Sequence, residues 1–433
     1  MRGTPYLTLA GLTRDAQAMV AAHPGLLRLR EVGVSRAGRP LWLLSAGQGS
    51  HQVLTVAGAH ANELVGGTSA LRLAEELAHR PDVLDALDCA WHFLICLDPD
   101  GTAIAERWMS EAPPSVGTYY RGFYRPAFAS HPEFPPVEGD PRSPMPESAA
   151  LIRLIDELRP VAQFSLHGVE VGGSFMQLTQ DVQGLAETYR TVAADLHIPL
   201  EHRPFDGMGW VVDSPGVLIL PADSTGEERD PSGFTSQATW MYAMRHGTVS
   251  AVLEAPFWAV DEVSDPRPVE RPDQEIAWAS EILLGRAAQV EAVLDAAERQ
   301  PPQEESHRAL FTAARELLDI CPGVVDTWKT HGEESPDGFG LATTRGNAAS
   351  LRIAAGRIPL RAAAMMRQAL GEPFAPVATA LDGLVREWCH ELEDLFGARW
   401  VPVRRQTALQ TRTMLAITRR LLARHPHASP SGS

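Results

Sequence analysis

Residues 53–63 have the sequence VLTVAGAHANE, and this stretch decides the fold class. Its first five residues are apolar or β-branched, so they predict a short, buried strand at 53–57. Gly58 then turns the chain, and a helical pattern follows that stops at Pro81. A buried strand joined to a helix through a glycine turn is typical of an α/β sheet with parallel strands.

The same alternation of strands and helices continues through the first 300 residues. Further strands are predicted at 41–44, 91–97, 162–166 and 249–253, and further helices at 151–158 and 272–298. We therefore expect an α/β protein with a mixed, mostly parallel sheet and helices on both faces.

The domain organisation changes at residues 300–305, which have the sequence QPPQEE. Beyond this break the apolar pattern becomes largely helical. We predict a catalytic domain at 1–300, an α-helical C-terminal region at 301–424 and a disordered tail at 425–433, which is rich in Ser, Pro and His.

Composition excludes several classes of protein. A chain of 433 residues with 44% hydrophobic and 21% charged residues is typical of a soluble globular protein. Its net charge of −16 argues against a nucleic-acid or membrane partner. Its four cysteines form no CxxC pair, and no signal peptide or membrane span is recognisable, so we expect a cytoplasmic location. The oligomeric state stays open.

Two potential metal ligands follow the strand at 53–57. His60 and Glu63 are three residues apart, at the end of the strand and in the expected first turn of the next helix, so both can point at one centre. Imidazole nitrogen and carboxylate oxygen are both good zinc ligands. One HxxE motif is weak by itself, because it arises often by chance.

Two further polar residues end predicted strands. His167 follows the strand at 162–166, and Glu254 follows the strand at 249–253. Sites in open α/β sheets are built at the carboxyl ends of strands, and a catalytic zinc needs three protein ligands. A buried strand-end carboxylate is costly unless it is paired or catalytic, and a metal-bound water needs a base. The alternative interpretation of His167 is a histidine that only caps the end of a strand. The alternative interpretation of Glu254 is a glutamate hydrogen-bonded to a nearby arginine or to a backbone group.

In order along the chain, these motifs resemble the zinc carboxypeptidases related to carboxypeptidase A. The resemblance spans roughly residues 5–300, and the chain looks like an atypical bacterial-type member with a helical C-terminal extension. It is carried by an opening segment at 6–39, HANE at 60–63, DPDG at 98–101 with Asp98 in place of the usual Asn, Pro146-Glu147, LHG at 166–168 and LEAP at 253–256.

The resemblance implies a zinc-dependent hydrolase that cleaves the C-terminal amide bond of a peptide. His60, Glu63 and His167 would bind Zn²⁺. Glu254 would act as general base towards the attacking water and then pass the proton to the leaving amine. An arginine near the metal, for which Arg107 is the candidate, would stabilise the oxyanion.

The chain departs from the family where the substrate's terminal carboxylate is held. The usual Asn-Arg pair is missing between residues 101 and 167. Arg121 and Arg125 are the candidate replacements, since a guanidinium can bind a carboxylate through two hydrogen bonds; the alternative for both is a surface loop charge. Tyr242 is the candidate for the family's mobile tyrosine, or else a core aromatic.

Two other functions stay open. A similar zinc site can serve an amidohydrolase or deacylase acting on small N-acyl amino acids, and the missing Asn-Arg pair is compatible with that. A catalytically silent binding protein on the same scaffold is the third possibility. A serine hydrolase is not favoured, because the sequence contains no GxSxG nucleophile elbow.

Overall fold

The computed structural model describes residues 6–110, 113–136, 144–207, 209–220, 237–295, 304–331, 341–370 and 375–423. The predicted tail at 425–433 and most of the predicted break at 300–305 lie outside this part of the chain.

A mixed β-sheet forms the centre of the molecule. Its strands lie in the order β1-β2-β4-β3-β5-β9-β6-β8-β7, and β10 pairs with the end of β9. The four central strands β4, β3, β5 and β9 run parallel, and antiparallel neighbours flank them. This confirms the expected fold class. The strands are β1 (Leu27–Val34), β2 (Pro40–Ala46), β3 (His51–Ala57), β4 (Cys89–Leu94), β5 (Ala162–Gly172), β6 (Phe175–Leu178), β7 (Val211–Ser214), β8 (Val217–Ile219), β9 (Val249–Ala259) and β10 (Arg399–Trp400).

Helices cover both faces of the sheet because the central strands are apolar on both sides. On β3, Val53 and Ala57 belong to the core that contains α1, α2 and α14, whereas Leu54 and Val56 pack in the core of α6. The helices are α1 (Leu9–Ala22), α2 (Val65–His79), α3 (Pro81–Ala86), α4 (Pro99–Ala105), α5 (Val116–Arg121), α6 (Pro146–Leu158), α7 (Leu185–Asp195), α8 (Thr239–Tyr242), α9 (Pro272–Leu294), α10 (Glu305–Asp319), α11 (Cys321–His331), α12 (Arg345–Ala369), α13 (Ala375–Phe396) and α14 (Val403–Ala423).

Two strands are longer than the sequence predicts. β5 was expected to end at residue 166 and β9 at residue 253, but the two strands pair from Ala162 opposite Val249 to Gly172 opposite Ala259. Gly168 and Pro256 do not stop them, because the residues that follow are mostly apolar and every one of them is buried. His167 and Glu254 therefore lie within strands rather than at their ends.

The C-terminal region is helical, as the sequence predicts, and it packs closely against the sheet. Helices α9 to α13 share one core with α5 and with Phe257 and Trp258 of β9. Helix α14 shares the other main core with α2, β3 and β5. The boundary near residue 300 stays a prediction, but the described helices on its far side complete cores that belong to the sheet.

No described helix combines the length and the apolar composition that crossing a bilayer requires.

Candidate metal centre

The turn between β3 and α2 places His60 and Glu63. Gly58, directly after β3, has φ +62°, a left-handed conformation that costs a glycine little and other residues more. Helix α2 begins only at Val65, so Glu63 precedes the helix instead of lying in its first turn as expected. Helix α2 also approaches β5 closely, because a Cβ atom on Gly66 would lie 2.9 Å from the Leu166 carbonyl oxygen.

The structure brings His60, Glu63 and His167 together. The Nδ1 atom of His60 lies 2.6 Å from Glu63 Oε1, and the Nδ1 atom of His167 lies 3.0 Å from Glu63 Oε2. The two Nδ1 atoms are 3.3 Å apart. The Gly168 backbone N–H donates to Glu63 Oε2 at 3.0 Å and so fixes that carboxylate. Two imidazole nitrogens that converge on one carboxylate form a donor set that suits Zn²⁺.

A second carboxylate, Glu133, lies on the other side of the two histidines. Its Oε1 atom accepts a hydrogen bond from Ser165 Oγ at 2.6 Å and lies 3.3 Å from His167 Nε2. Its Oε2 atom is 3.9 Å from His60 Nε2, a buried nitrogen without a hydrogen-bond partner among the described residues. The ligand atoms of His60, Glu133 and His167 lie within 4.8 Å of one another, so this set could also hold a metal ion.

The pKa values of the two histidines are shifted in opposite directions. Burial disfavours the imidazolium of His167, but Glu133 and Glu63 outweigh it and raise the pKa of His167 well above its usual value. Burial, with the nearby Arg125 guanidinium, lowers the pKa of His60 well below its usual value. For Glu133, burial opposes the charge, but His167 and His60 lower the pKa of the carboxyl to about 2. Glu133 is thus a buried anion next to the histidine pair.

Glu254 lies directly opposite His167 in the register of β5 and β9. Its Oε2 atom is buried without a hydrogen-bond partner among the described residues. Burial and the neighbouring Glu63 carboxylate raise the pKa of Glu254 well above its usual range. A carboxylate with a raised pKa and a free oxygen has the properties of a general base.

A cavity of about 190 Å³ lies over these residues. Two arginines, Arg125 and Arg361, reach it, and Arg361 is held by Glu170 through bonds of 2.7 and 2.6 Å. The far wall is apolar and comes from α10, α11, α12 and the turn between α10 and α11. Its residues are Leu317, Ile320, Val324 and Ile358.

Of the other predicted residues, only Arg125 reaches the cavity. It makes no hydrogen bond or ion pair with the described residues, and its Nε atom is buried. Arg107 and Arg121 line a separate groove, where Arg121 bonds to Gly117 and Thr118 of its own helix. Neither side chain lines the cavity, and the roles predicted for Arg107 and Arg121 stay predictions.

Tyr242 does not line the cavity either. Its hydroxyl donates to Asp156 at 2.9 Å on the outer side of α6, and its ring stacks under Arg245. The cavity is instead lined by its neighbour Trp240, which is buried. Trp240 and Tyr242 of α8 thus lie in different surroundings, and the role predicted for Tyr242 stays a prediction.

Several residues at the site were not found from the sequence. Glu133 lies in a proline-rich loop, and the only signal for it is the compact sequence His131-Pro132-Glu133. Arg361 lies in a helix of the C-terminal region, far along the chain from the HxxE motif. No local pattern marks it as a residue of the cavity.

Comparison with known families bears on the same residues. Residues 12–172 match the zinc carboxypeptidase family. The segment that resembles zinc carboxypeptidases contains His60, Glu63, Glu133 and His167, and it ends before Glu254. No curated protein matches the sequence.

Several solved structures match part of the chain at low sequence identity. Bovine thrombin-activatable fibrinolysis inhibitor is 13% identical, with a TM-score of 0.36 over 58% of this chain and 86% of that chain. Carboxypeptidase A from Helicoverpa armigera is 16% identical, with a TM-score of 0.38 over 58% and 64%. A metallo-carboxypeptidase from Burkholderia cenocepacia is 18% identical, with a TM-score of 0.32 over 55% and 58%.

Proposed function

We propose that the protein is a zinc-dependent hydrolase that removes the C-terminal residue from a peptide or a related amide. The observation that supports this most is the convergence of His60, Glu63 and His167 beside Glu254. These are two imidazoles, one carboxylate ligand and one separate carboxylate base, which is the set that zinc hydrolysis requires. The family match over residues 12–172 supports the same class of chemistry.

His60, Glu63 and His167 would hold the metal. We favour Glu63 over Glu133 as the third ligand, because Glu63 lies nearer both histidines and contacts the same nitrogen, Nδ1, on each. When bound, zinc lowers the pKa of a coordinated water to about 7 and polarises the substrate carbonyl. Glu133 would then accept a hydrogen bond from His167 Nε2 and so fix the tautomer that leaves Nδ1 free for the metal.

Glu254 would move the proton. In its ionised form it takes a proton from the attacking water and later delivers it to the nitrogen of the leaving amine, so the carboxylate is regenerated. Its unpartnered Oε2 atom supports this role, because a carboxylate already saturated with hydrogen bonds would be a poor base. The strand pairing of His167 and Glu254 places the proposed base next to one of the proposed metal ligands.

Arg125 would bind the substrate's oxygen atoms. Its guanidinium group makes no hydrogen bond or ion pair with the described residues and lies 5.7 Å from the centre of the Phe128 ring, whereas Arg361 donates two hydrogen bonds to Glu170. An unpaired cation in a half-buried cleft would favour a developing oxyanion or a terminal carboxylate. Arg125 thus takes over the two roles that the sequence divided between Arg107 and the arginines of the loop.

The apolar wall indicates which terminal residue the cavity accepts. Leu317, Val324 and Ile358 are buried and present only aliphatic groups, and the nearby charges of Arg361 and Glu170 neutralise each other. We therefore expect an aliphatic or aromatic side chain in the substrate. A charged side chain placed there would lose its hydration without gaining a partner.

One observation favours a second candidate, the deacylase. The cavity of about 190 Å³ is smaller than the roughly 300–1,000 Å³ common for ligand sites. A small N-acyl amino acid would fit such a space better than a long peptide. The same residues would act in both reactions, so the substrate alone separates the two functions.

The test is zinc content and product analysis on the purified full chain. We expect about one zinc ion per chain and release of an apolar amino acid from blocked dipeptides or from N-acyl amino acids, whichever is the substrate. His60→Ala should lose the zinc, whereas Glu157→Gln, an exposed carboxylate on α6, should change nothing. A zinc-free wild-type protein whose hydrolysis survives His60→Ala would overturn the proposal.

A further inference from the structure

Gln410 of α14 connects the C-terminal region to the strands that carry the candidate active site. Its side chain is 1% exposed. The Nε2 atom donates to the carbonyl oxygen of His167 at 2.7 Å and to that of Leu253 at 3.1 Å. The Oε1 atom accepts a hydrogen bond from Ser69 Oγ in α2 at 2.6 Å. Both amide protons and the amide oxygen are therefore used.

The two carbonyl groups belong to the backbone around the reacting residues. One is the carbonyl of His167 itself, and the other is in the peptide group that links Leu253 to Glu254. Strand β3 pairs with β5 only as far as Leu166. From His167 onwards, the edge of β5 that faces β3 therefore has no neighbouring strand in the described sheet. A single side-chain amide thus bridges β5 and β9 at the level of the site.

We propose that Gln410 is a positioning residue that sets the distance between His167 and Glu254. The inference rests on the proposed function, since it assigns a role in the same reaction. Removing the amide would leave two buried carbonyl oxygens without their donor, and water or a backbone shift would have to satisfy them. Either change moves the metal ligand relative to the base. Residues outside the site that orient metal ligands are commonly worth 10- to 100-fold in activity or metal affinity.

The chain offers a matched control one turn earlier in α14. Gln406 is also fully buried, donates to the Val401 carbonyl at 2.6 Å and accepts from Tyr6 OH at 2.6 Å. It has the same residue type, helix and burial as Gln410, but it does not touch β5 or β9 near the site. Substituting Gln406 therefore measures the loss of buried hydrogen bonds alone.

The experiment compares Gln410→Leu with Gln406→Leu in the full-length, zinc-loaded protein. Melting temperature, zinc affinity by chelator competition, kcat and KM are measured for each. We expect similar losses of melting temperature, but a kcat that falls roughly 10- to 100-fold in Gln410→Leu only, with KM changed much less. Equal kcat and equal zinc affinity in the two folded variants would overturn the inference.

A second variant keeps the test decisive if Gln410→Leu does not fold. Ser69→Ala removes the bond that orients the amide while leaving both strands intact, and it should lower kcat in the same direction by a smaller factor. Unchanged kcat in this variant would also overturn the inference. A wild-type chain that neither binds zinc nor hydrolyses any amide would instead overturn the proposed function, and this inference with it.

Discussion

His167 and Glu254 face each other in register on two parallel strands, β5 and β9. The candidate metal ligand and the candidate base therefore lie side by side on a backbone ladder that continues for several residues beyond both, and the Gln410 amide bridges the two strands at this level. Sites that depend on loop conformation lack this constraint. The loop residues here, His60 and Glu63, contact the ladder through His167 and the Gly168 N–H.

Glu254→Gln should abolish most of the activity and leave the zinc in place. The amide keeps the shape of the carboxylate but cannot take up the proton, so we expect kcat to fall by roughly 10²- to 10⁴-fold. Zinc content and kcat are measured on the same preparation. Loss of zinc together with activity would show that Glu254 holds the metal rather than the proton.

Glu133→Gln should weaken zinc binding without abolishing it. The carboxylate contacts Nε2 of His167, and its loss frees the imidazole to change tautomer, so zinc affinity should fall by about 10- to 100-fold. Chelator competition at pH 7 gives the affinity, with Glu63→Gln measured alongside. If Glu133→Gln lost zinc more completely than Glu63→Gln, Glu133 would be the ligand and Glu63 the outer partner.

Arg125→Met should lower kcat/KM by roughly 10²- to 10³-fold, because it removes the unpaired cation that faces the substrate oxygens. Arg121→Met is the control, since Arg121 is close to Arg125 in sequence but ends helix α5 and lines the other groove. Both variants should keep their zinc. Equal activity in the two variants would remove Arg125 from the reaction.

Leu317→Ala should change which substrates are preferred. It enlarges the apolar wall of the cavity, so the kcat/KM ratio of a large to a small apolar residue should rise by about 10-fold or more. Leu318→Ala changes a buried neighbour that does not line the cavity. We expect it to lower the free energy of unfolding by roughly 2–5 kcal/mol, as Leu317→Ala should. The substrate preference of Leu318→Ala should match that of the wild type. The same change in preference in both variants would contradict the proposal that the wall formed by Leu317 selects the substrate side chain.

Stability should fall as the pH drops from 6.5 to 4, and buried His92 should account for part of the loss. Burial, aided by Arg30, lowers the pKa of His92 from 6.5 to about 4. Between these values the unfolded chain binds a proton that the folded chain does not, so the free energy of unfolding decreases by up to roughly 3 kcal/mol.

His92→Asn should flatten this part of the pH profile, measured by urea unfolding. The substitution removes the hydrogen bonds of the His92 ring to Ser45 and Gln52. The variants are therefore compared by the slope of unfolding free energy against pH and not by absolute stability. His79→Asn, at an exposed histidine, should retain the wild-type slope. An unchanged slope in His92→Asn would assign the pH dependence to other groups.

The parts of the site that could be predicted are those with a local pattern. An apolar run, a glycine turn and HANE are adjacent in sequence, so the strand and the first two candidate ligands followed directly. His167 and Glu254 were predicted from their residue types, but they were placed at strand ends because glycine and proline normally interrupt strands. Here the residues that follow Gly168 and Pro256 are buried, and both strands continue.

What the sequence could not give depends on long-range packing. Arg125 and Arg121 are four residues apart with similar surroundings in sequence, yet only one enters the cavity. Arg361 and Gln410 reach the site from helices packed far along the chain, at 191 and 243 residues from their partners Glu170 and His167. No periodicity or motif encodes such a contact before the tertiary structure is known.

The attachment of α14 also separates two events in the folding of the chain. His60, Glu63 and His167 all precede α14 by more than two hundred residues, so a growing polypeptide presents the three proposed ligands long before Gln410 is synthesised. Because α14 also completes the core that contains α2, β3 and β5, this core and the Gln410 bridge are both finished only after α14 has been made.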